Sequence, residues 1–228
     1  MFTVLHEDAD VLAVDKPAGV VVIPARDEAP GESLRHRLEA ARGERLWVVH
    51  RIDRDTTGVV LFARNAEAHR ALSLAFERRL AEKTYLALTR GVPKRGVIDV
   101  ALHPARKGKM RPALAGETGA IDAVTDCRVL RAWRRPDGDV ALVEAKPRTG
   151  RQHQVRVHLR FAEAPLLVDP LYGRAERAEV AGVALARLTL HAHALAVPLG
   201  ERALRFEAPL AADLRAAVDA LDAAPLTR

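Results

Sequence analysis

The chain has 228 residues, of which 49% are hydrophobic, so it can build a sizeable core and is not an intrinsically disordered chain. No apolar run is long enough to cross a bilayer, and the single cysteine, Cys127, excludes an internal disulfide and a Cys-rich zinc site. The net charge of +6, with 36 Lys and Arg residues, fits a nucleic-acid partner, although an Ala- and Arg-rich composition alone would explain it equally well.

From the N-terminal residues we expect no targeting signal. The opening MFTVLHEDAD turns acidic within a few residues, so it lacks the basic start and the apolar stretch of a signal peptide. We therefore expect a cytoplasmic protein that has no membrane partner.

The first half of the chain alternates predicted strands with two predicted helices. Apolar runs between turn residues predict strands, and an apolar period of 3.6 residues predicts helices. The predicted strands are a short one before a turn at His6–Asp10, then Val11–Asp15, 45–50, 59–64 after a turn at Thr56–Gly58, and 83–91. The predicted helices are 31–43, with Leu34 and Leu38 on one face and a stop at Gly43, and Asn65–Leu80, with an apolar face of Ala68, Leu72, Ala75 and Phe76.

The second half is dominated by strands that neighbour each other in sequence. Residues 94–120 are rich in Gly, Pro, Lys and Arg, which predicts strand fragments joined by an exposed basic loop. A hairpin signal at 135–138 joins predicted strands at 123–133 and 139–147, and two further strands flank a turn at 198–202. The predicted helices are one that Thr149 can cap, with Val155, Leu159 and Ala162 on one face, and one that starts near Pro209 and carries Leu214, Val218 and Leu221.

The order of these elements predicts the fold class. Strands that follow each other directly favour an α+β fold, with a mixed, largely antiparallel central sheet flanked by helices, over a repeating βαβ fold. No internal repeat or low-complexity linker divides the sequence. We therefore expect a single domain over residues 1–228, which could consist of two lobes.

Few residues fit a familiar catalytic or metal-binding motif. The chain has no GxGxxG, Walker lysine loop, HExxH or GxSxG motif. Cys127 lies in a predicted strand without a base nearby in sequence, which predicts a core residue. His191 and His193 would share one face of a strand, and because two ligands are too few for a metal site, a hydrogen-bonded structural pair is the favoured interpretation. We expect no metal site.

The stretch HRIDRDTTG, His50–Gly58, holds the first candidate for chemistry. Asp53 lies in it between Arg51 and Arg54. Nearby positive charge keeps a carboxylate ionised and available as a nucleophile or base. A solvated charged loop would explain the same composition.

A second charged stretch, TGRQHQVRVH at 149–158, is rich in arginine and histidine. It carries Arg151, His153 and Arg156, and Gln152 would share a helix face with Arg156 because the two are four residues apart. An anion-binding site, or a partner for Asp53, would use such a segment, and a solvated loop again remains open.

Five blocks in order carry a family resemblance over about Leu5 to Leu210. They are HEDADVLAVDKPAGVVVIPA, HRIDRDTTGVVLFARN, KTYLAL, TGRQHQVRVHL and DPLYG, and the second and fourth are long and specific. This set resembles the RluA-type RNA pseudouridine synthases. The lead-in VIPARDEAPGESLRHRL is similar to members that act without an added RNA-binding domain, and we expect no S4-type domain because little sequence precedes Leu5.

The resemblance implies an enzyme that turns uridine within RNA into pseudouridine without a cofactor or metal. It implies the synthase catalytic fold with a central RNA-binding cleft. The glycosidic N1–C1′ bond would break, the uracil would rotate, and C5 would join C1′, through either an acylal or a glycal intermediate. We expect a monomer that acts on a stem-loop of ribosomal RNA, of tRNA, or of both.

The resemblance also implies roles for single residues. Asp53 matches the catalytic aspartate, and Tyr85 the tyrosine that packs on the target base and is a candidate acceptor of the C5 proton. Arg51 matches the arginine that enters the gap left by the flipped nucleotide. Arg156 is the expected ion-pair partner of Asp53, and Arg151 is its rival. The remaining expected RNA contacts are His50, Arg54, His153, Lys16 and the basic loop at 94–112.

The chain departs from the family pattern at Ile52, Thr57, Val168 and Val197, none of which is a residue with an expected chemical role. A catalytically inactive RNA-binding or ribosome-assembly factor is the main alternative function. The presence of Asp53, Tyr85 and Arg156 together argues against an inactive protein, because a catalytic site that is no longer used should have lost one of them. An enzyme of free nucleosides is a third possibility, against which the basic surface argues.

Overall fold

The computed structural model describes residues 2–24, 31–173 and 176–224, so residues 25–30 of the lead-in stretch lie outside the described residues. The helices are α1 Leu34–Arg42, α2 Ala66–Glu77, α3 Gln154–Phe161 and α4 Ala212–Ala223, and a 3₁₀ turn covers Arg106–Gly108. The strands are β1 Thr3–Glu7, β2 Val11–Lys16, β3 Trp47–Val48, β4 Thr57–Ala63, β5 Glu82–Arg90, β6 Val97–Asp99, β7 Leu102–Pro104, β8 Met110–Pro112, β9 Val124–Trp133, β10 Val140–Pro147, β11 Ala178–Val180, β12 Val183–Leu185, β13 Leu190–Leu199 and β14 Arg202–Glu207.

The structure confirms the predicted α+β class. The chain divides into two compact units, Met1–Lys83 with His191–Pro209, and Thr84–Leu190 with Leu210–Arg228. The described helices include none that is long and apolar enough to span a membrane.

The first unit is built around β4, which is buried along its whole length. β4 pairs antiparallel with β2 and β3 and parallel with β13, while β1–β2 and β13–β14 are antiparallel pairs. Val59, Leu61 and Ala63 of β4 belong to an apolar cluster that covers one face of α2. This arrangement makes β4 a rigid base for the residues that precede it.

The chain turns earlier before β4 than its sequence predicts, and Gly58 lies within the strand. The predicted turn at Thr56–Gly58 is wrong, because β4 already begins at Thr57, and the turn lies at residues 54–55. Gly58 has a φ of +114°, and a Cβ there would lie 2.1 Å from the carbonyl oxygen of Ala192 in β13. Only glycine allows two backbones to approach so closely.

Capping residues set the bounds of α1 and α2. The Ser33 hydroxyl accepts from the His36 N–H, and Gly43, with a φ of 67°, ends α1 as predicted. The Asn65 side chain caps α2 by accepting from the Ala68 N–H. α2 ends at Glu77 rather than at the predicted Leu80, since Arg79 takes a left-handed φ of 59°.

The second unit contains the antiparallel strand order β5–β10–β9–β6, and the predicted β9–β10 hairpin is confirmed. α4 packs with Leu214, Val218 and Leu221 in an apolar cluster that also holds Val180 and Leu185 of the small β11–β12 hairpin. That hairpin has no counterpart in the sequence analysis.

The start of α3 differs from the prediction. Thr149 does not cap the helix, because its hydroxyl donates to the Gln154 side-chain oxygen at 2.7 Å. His153 occupies the N-cap position with a left-handed φ of 54°. Gln152 therefore precedes the helix and does not share a helix face with Arg156.

Two smaller predictions concern residues outside the main charged stretches. His191 and His193 form the predicted hydrogen-bonded pair, with ring nitrogens 3.3 and 2.9 Å from the carbonyl oxygen of Ala208. Cys127 is half-buried against an apolar cluster of the second unit, and burial raises the pKa of its thiol to about 11. A thiol with so high a pKa is not a nucleophile at neutral pH.

Candidate active site

The segment His50–Gly58 forms a short turn that leads into β4. The Thr56 N–H donates to the Asp53 carbonyl oxygen at 3.2 Å, which closes the turn. Ile52 is buried, Asp53 is half-buried, and Arg51 and Arg54 are exposed. The first unit thus presents one carboxylate between two arginines that solvent can reach.

Lys16 anchors this turn from inside the first unit. Its side chain is fully buried at the end of β2, and its Nζ donates to the carbonyl oxygens of Pro17, Val20 and Arg54 at 2.8, 2.7 and 2.7 Å. A buried ammonium is stable only with such acceptors around it. An ammonium enclosed by protein carbonyls positions the turn in this structure, and the expected contact of Lys16 with RNA stays a prediction.

His50 fixes the start of the same turn. Its Nε2 accepts from the Leu61 N–H at 2.9 Å, and its ring stacks on Phe76 with centroids 5.0 Å apart. Burial lowers the pKa of His50 to about 3, and the positive charge of Lys83 lowers it further. The imidazole is neutral with its proton on Nδ1, so any contact of His50 with RNA cannot be an ionic one at neutral pH.

Thr57 and His191 fix the other end of the turn. The Thr57 hydroxyl lies 2.8 Å from Nδ1 of His191, and both side chains are buried. Because the Nε2 of His191 faces the Ala208 carbonyl oxygen at 3.3 Å, it carries the ring proton, and Nδ1 accepts from Thr57. The hydrogen bonds of His50 and of Thr57 thus hold the two ends of the Asp53 turn, and the hydrogen bond of Lys16 holds its backbone at Arg54.

In the second unit, Arg156 of α3 is buried in an ion pair that the sequence patterns do not predict. Nε and Nη2 of Arg156 donate to the two carboxylate oxygens of Asp169 at 2.9 and 2.7 Å. The guanidinium carbon also lies 5.0 Å from the ring centroid of Tyr172. Pairing of Arg156 with Asp53, and the rival role of Arg151, stay predictions.

The other expected site residues of the second unit lie around the same helix. The Nδ1 of His153 is 2.8 Å from the Tyr172 hydroxyl, and Nε of Arg151 donates to the Asp122 carbonyl oxygen at 3.0 Å. Tyr85 pairs with Ala145 across β5 and β10, and it packs half-buried against an apolar cluster that includes residues of α3.

The predicted basic loop contains a small hairpin, β7–β8, whose tip is the 3₁₀ turn. Arg106 and Lys107 are exposed at this tip. The base of the hairpin is held to the second unit, because the Met110 N–H donates to the Tyr172 hydroxyl at 2.7 Å. Arg111 is less available for RNA, since it pairs with both carboxylate oxygens of Glu117 and lowers the pKa of Glu117 to about 2.

Asp169 and Tyr172 contact the expected site residues of the second unit but are not among those predicted from the sequence. Both lie in DPLYG, a block that carries the family resemblance but had no expected chemical role. The available signal was its turn chemistry, because an aspartate two or three residues before backbone N–H groups typically accepts from them. The Asp169 carboxylate does accept from the Leu171 and Tyr172 N–H groups, each at 3.0 Å.

Comparison of the sequence with known proteins gives consistent matches. The family described as RNA pseudouridylate synthase matches residues 10–161. An uncharacterized RNA pseudouridine synthase of Zymomonas mobilis is 36% identical over 214 residues, which cover 91% of this chain and 93% of that protein. The ribosomal large subunit pseudouridine synthases D of Nitrosomonas europaea and Xanthomonas campestris are 34% and 35% identical over 96% of this chain, which spans 64% and 69% of their lengths.

Solved structures agree with these relatives. Human RNA pseudouridylate synthase domain containing 4 has a TM-score of 0.77 and 28% identity, covering 96% of this chain and 93% of that one. Human RNA pseudouridylate synthase domain containing 1 has a TM-score of 0.75 and 26% identity, covering 100% and 97%. The sequence match and the fold together place this chain in the RNA pseudouridylate synthase family of isomerases.

Proposed function

We propose that this protein isomerises specific uridines of structured RNA to pseudouridine, with Asp53 as the nucleophile. The observation that carries the proposal is the construction of the Asp53 turn. The turn that carries this carboxylate between two exposed arginines is held by the buried Lys16, by the neutral His50 and by the Thr57–His191 hydrogen bond, so the backbone around Asp53 is fixed before substrate binds. Such preorganisation is what nucleophilic catalysis requires.

The proposed reaction moves one bond and needs no external reactant. Asp53 either attacks C1′ of the sugar as the N1–C1′ bond breaks, forming an ester bond that breaks again when C5 bonds to C1′, or it promotes cleavage of the N1–C1′ bond without bonding to the sugar. The freed uracil rotates, C5 bonds to C1′, and the proton on C5 leaves while N1 gains one, so the product is an isomer of the substrate. Tyr85 supports the uracil face and is the proposed acceptor of the C5 proton, because a phenol offers both an aromatic surface and an oxygen.

RNA binding in this proposal rests on the exposed arginines. The target uridine leaves its stack so that Asp53 can reach C1′, and Arg51 occupies the gap that remains. Arg54 and the cations of the β7–β8 hairpin tip, Arg106 and Lys107, contact phosphates. We expect rates of RNA association to fall steeply with salt, as phosphate contacts require.

Large-subunit ribosomal RNA is the proposed substrate class. The relatives from Nitrosomonas europaea and Xanthomonas campestris are named ribosomal large subunit pseudouridine synthase D, and tRNA is the second class to be tested. We further propose that the protein acts as a monomer in the cytoplasm, through the catalytic domain that residues 1–228 form.

A substrate panel tests the proposed function. Purified wild-type protein would be incubated with transcripts of large-subunit ribosomal RNA domains, with tRNA transcripts and with free uridine, all labelled with tritium at C5. We expect tritium release from at least one ribosomal transcript and none from free uridine. Binding to RNA without release from any transcript or from total cellular RNA would favour an inactive RNA-binding factor, and release from free uridine would favour a nucleoside enzyme.

A further inference from the structure

The segment Asp169–Gly173, called the clamp here, surrounds the guanidinium of Arg156. Arg156 and Asp169 are 7% and 3% exposed, and both carboxylate oxygens accept from Arg156. The Leu171 and Tyr172 N–H groups also donate to the carboxylate. A carboxylate with four donors around it has one stable orientation, and it imposes that orientation on the planar guanidinium.

The backbone of the clamp is itself tightly determined. The Gly173 N–H donates to the Asp169 carbonyl oxygen at 2.7 Å, which closes the turn. A Cβ at position 173 would lie 2.6 Å from that same oxygen. The turn therefore needs glycine at its end, and the direction of the Asp169 side chain follows from the turn.

Tyr172 contacts Arg156 through its ring, and it contacts Met110 and His153 through its hydroxyl. Its ring lies 5.0 Å from the guanidinium carbon of Arg156, within the range of a cation–π contact. Its hydroxyl accepts from the Met110 N–H at 2.7 Å and lies 2.8 Å from Nδ1 of His153. His153 has a left-handed φ of 54°, a conformation that non-glycine residues adopt rarely and mostly where the surroundings enforce it.

We propose that Asp169 and Tyr172 are positioning residues, which orient Arg156 and His153 for the isomerisation; this inference rests on the proposed function. A buried ion pair contributes little net stability, because desolvation of both charges offsets their attraction. The same pair fixes the orientation of the Arg156 guanidinium plane. A fixed orientation favours catalysis where Arg156 must donate hydrogen bonds to a carboxylate or a sugar oxygen.

The first test is steady-state kinetics of Asp169→Asn and Tyr172→Phe on the RNA that the wild type modifies. We expect Asp169→Asn to lower kcat about 10- to 100-fold while KM for RNA changes by less than about twofold, because orientation and not RNA affinity is lost. Tyr172→Phe keeps the ring and loses both contacts of the hydroxyl, so we expect a smaller fall in kcat of the same kind. Either variant with wild-type kcat, or with a raised KM alone, would overturn its assignment.

Asp126→Asn is the matched control. Asp126 pairs bidentately with Arg148 at 2.7 and 2.6 Å, as Asp169 does with Arg156, but on the exposed surface of the same unit. We expect its kcat to match that of the wild type. An equal loss in Asp126→Asn would mean that removal of any such pair slows the enzyme, which would contradict a specific role of the clamp.

A double-mutant cycle separates positioning from folding. If Asp169 acts through Arg156, Asp169→Asn should cause no further fall in kcat in an Arg156→Met background, because the methionine side chain cannot donate a hydrogen bond to Asp169. Additive falls would indicate an independent structural role and would overturn the inference. If Asp169→Asn does not fold, as thermal unfolding would reveal, the cycle is run with Tyr172→Phe.

An activity-independent measurement distinguishes failure of the clamp from failure of the proposed function. Nitrogen-15 NMR reports hydrogen exchange at Nε of Arg156, which we expect to be slow in the wild type and in Asp126→Asn and fast in Asp169→Asn. Slow exchange in Asp169→Asn would overturn the clamp whether or not the protein modifies RNA. An inactive wild type that gives the expected exchange pattern would refute only the proposed function.

Discussion

The Nζ atom of Lys16 lies 2.7 Å from the carbonyl oxygen of Arg54, the residue after Asp53. The same ammonium also reaches the carbonyl oxygens of Pro17 and Val20, so one buried charge ties the end of β2 to the turn that holds the proposed nucleophile. The stability of this turn therefore depends on a residue 38 positions earlier in the chain.

We expect Lys16→Met to lower the free energy of unfolding by about 2 to 4 kcal/mol, because three part-buried carbonyl oxygens lose the buried ammonium that donates to them. Urea denaturation of the two proteins measures the difference. Lys94→Met is the control, since the pair of Lys94 with Glu163 is exposed and its removal should cost less than about 1 kcal/mol. Equal midpoints for wild type and Lys16→Met would contradict the anchoring role.

Alanine substitutions at Gly58 and at Gly138 form a matched pair that tests the close approach of β4 and β13. Both have a φ of +114°, but a Cβ at Gly58 would lie 2.1 Å from the Ala192 carbonyl oxygen, whereas a Cβ at Gly138 meets nothing within 4 Å. Gly138→Ala should cost about 1 to 2 kcal/mol from backbone strain alone. Gly58→Ala should cost more than about 4 kcal/mol, because two backbones must separate.

Thermal and urea unfolding of both variants measure these costs. A Gly58→Ala protein as stable as Gly138→Ala would mean that the two strands are not held as closely as the structure has them.

The buried imidazole of His50 predicts a pH-dependent stability. An unfolded histidine has a pKa of about 6.5, and burial lowers the pKa of His50 to about 3. As the pH falls, the unfolded chain therefore binds the proton first. The contribution of His50 to stability is complete above its unfolded pKa and is lost as the pH falls toward the folded one.

His50→Gln tests this dependence, because the Gln carbonyl can still accept from the Leu61 N–H without titrating. Urea midpoints would be measured from neutral pH to pH about 4, a range that spans the unfolded histidine pKa of about 6.5 and stays above the folded one. We expect the wild type to lose more stability than His50→Gln over this range. A loss of equal size in both proteins would show that His50 is not held neutral.

The sequence predicts well those elements whose signals are local. Leu34, Leu38 and the stop at Gly43 define α1, and the turn residues at 135–138 define the β9–β10 hairpin. The helix α4 buries Leu214 and Val218 as its apolar period predicts. In each case the deciding residues are neighbours in the chain.

Features that depend on distant contacts were not predictable from local patterns. DKPAG reads as a polar turn, but Lys16 is buried because the acceptor at Arg54 comes from a distant part of the chain. Thr149 resembles a helix cap, yet its hydroxyl is taken by Gln154. The pairing of Arg156 with Asp169 depends on a turn after α3 that no periodicity indicates.

Tyr85→Phe tests the proposed chemical role of the phenol hydroxyl. The ring and its packing beside Ala145 remain, so RNA affinity by filter binding should match the wild type. If the hydroxyl accepts the C5 proton, kcat should fall about 100-fold or more. Tyr85→Leu, which removes the ring as well, should also weaken RNA binding. Turnover by Tyr85→Phe at the wild-type rate would remove the hydroxyl from the mechanism.

Tritium release by Asp53→Asn, with Asp55→Asn as its control, tests the central claim most directly. The two carboxylates lie in the same turn, are both half-buried and differ in their proposed roles. The account predicts that Asp53→Asn folds and binds RNA but releases no tritium above background, while Asp55→Asn retains activity. Release by Asp53→Asn at the wild-type rate would contradict the proposed mechanism.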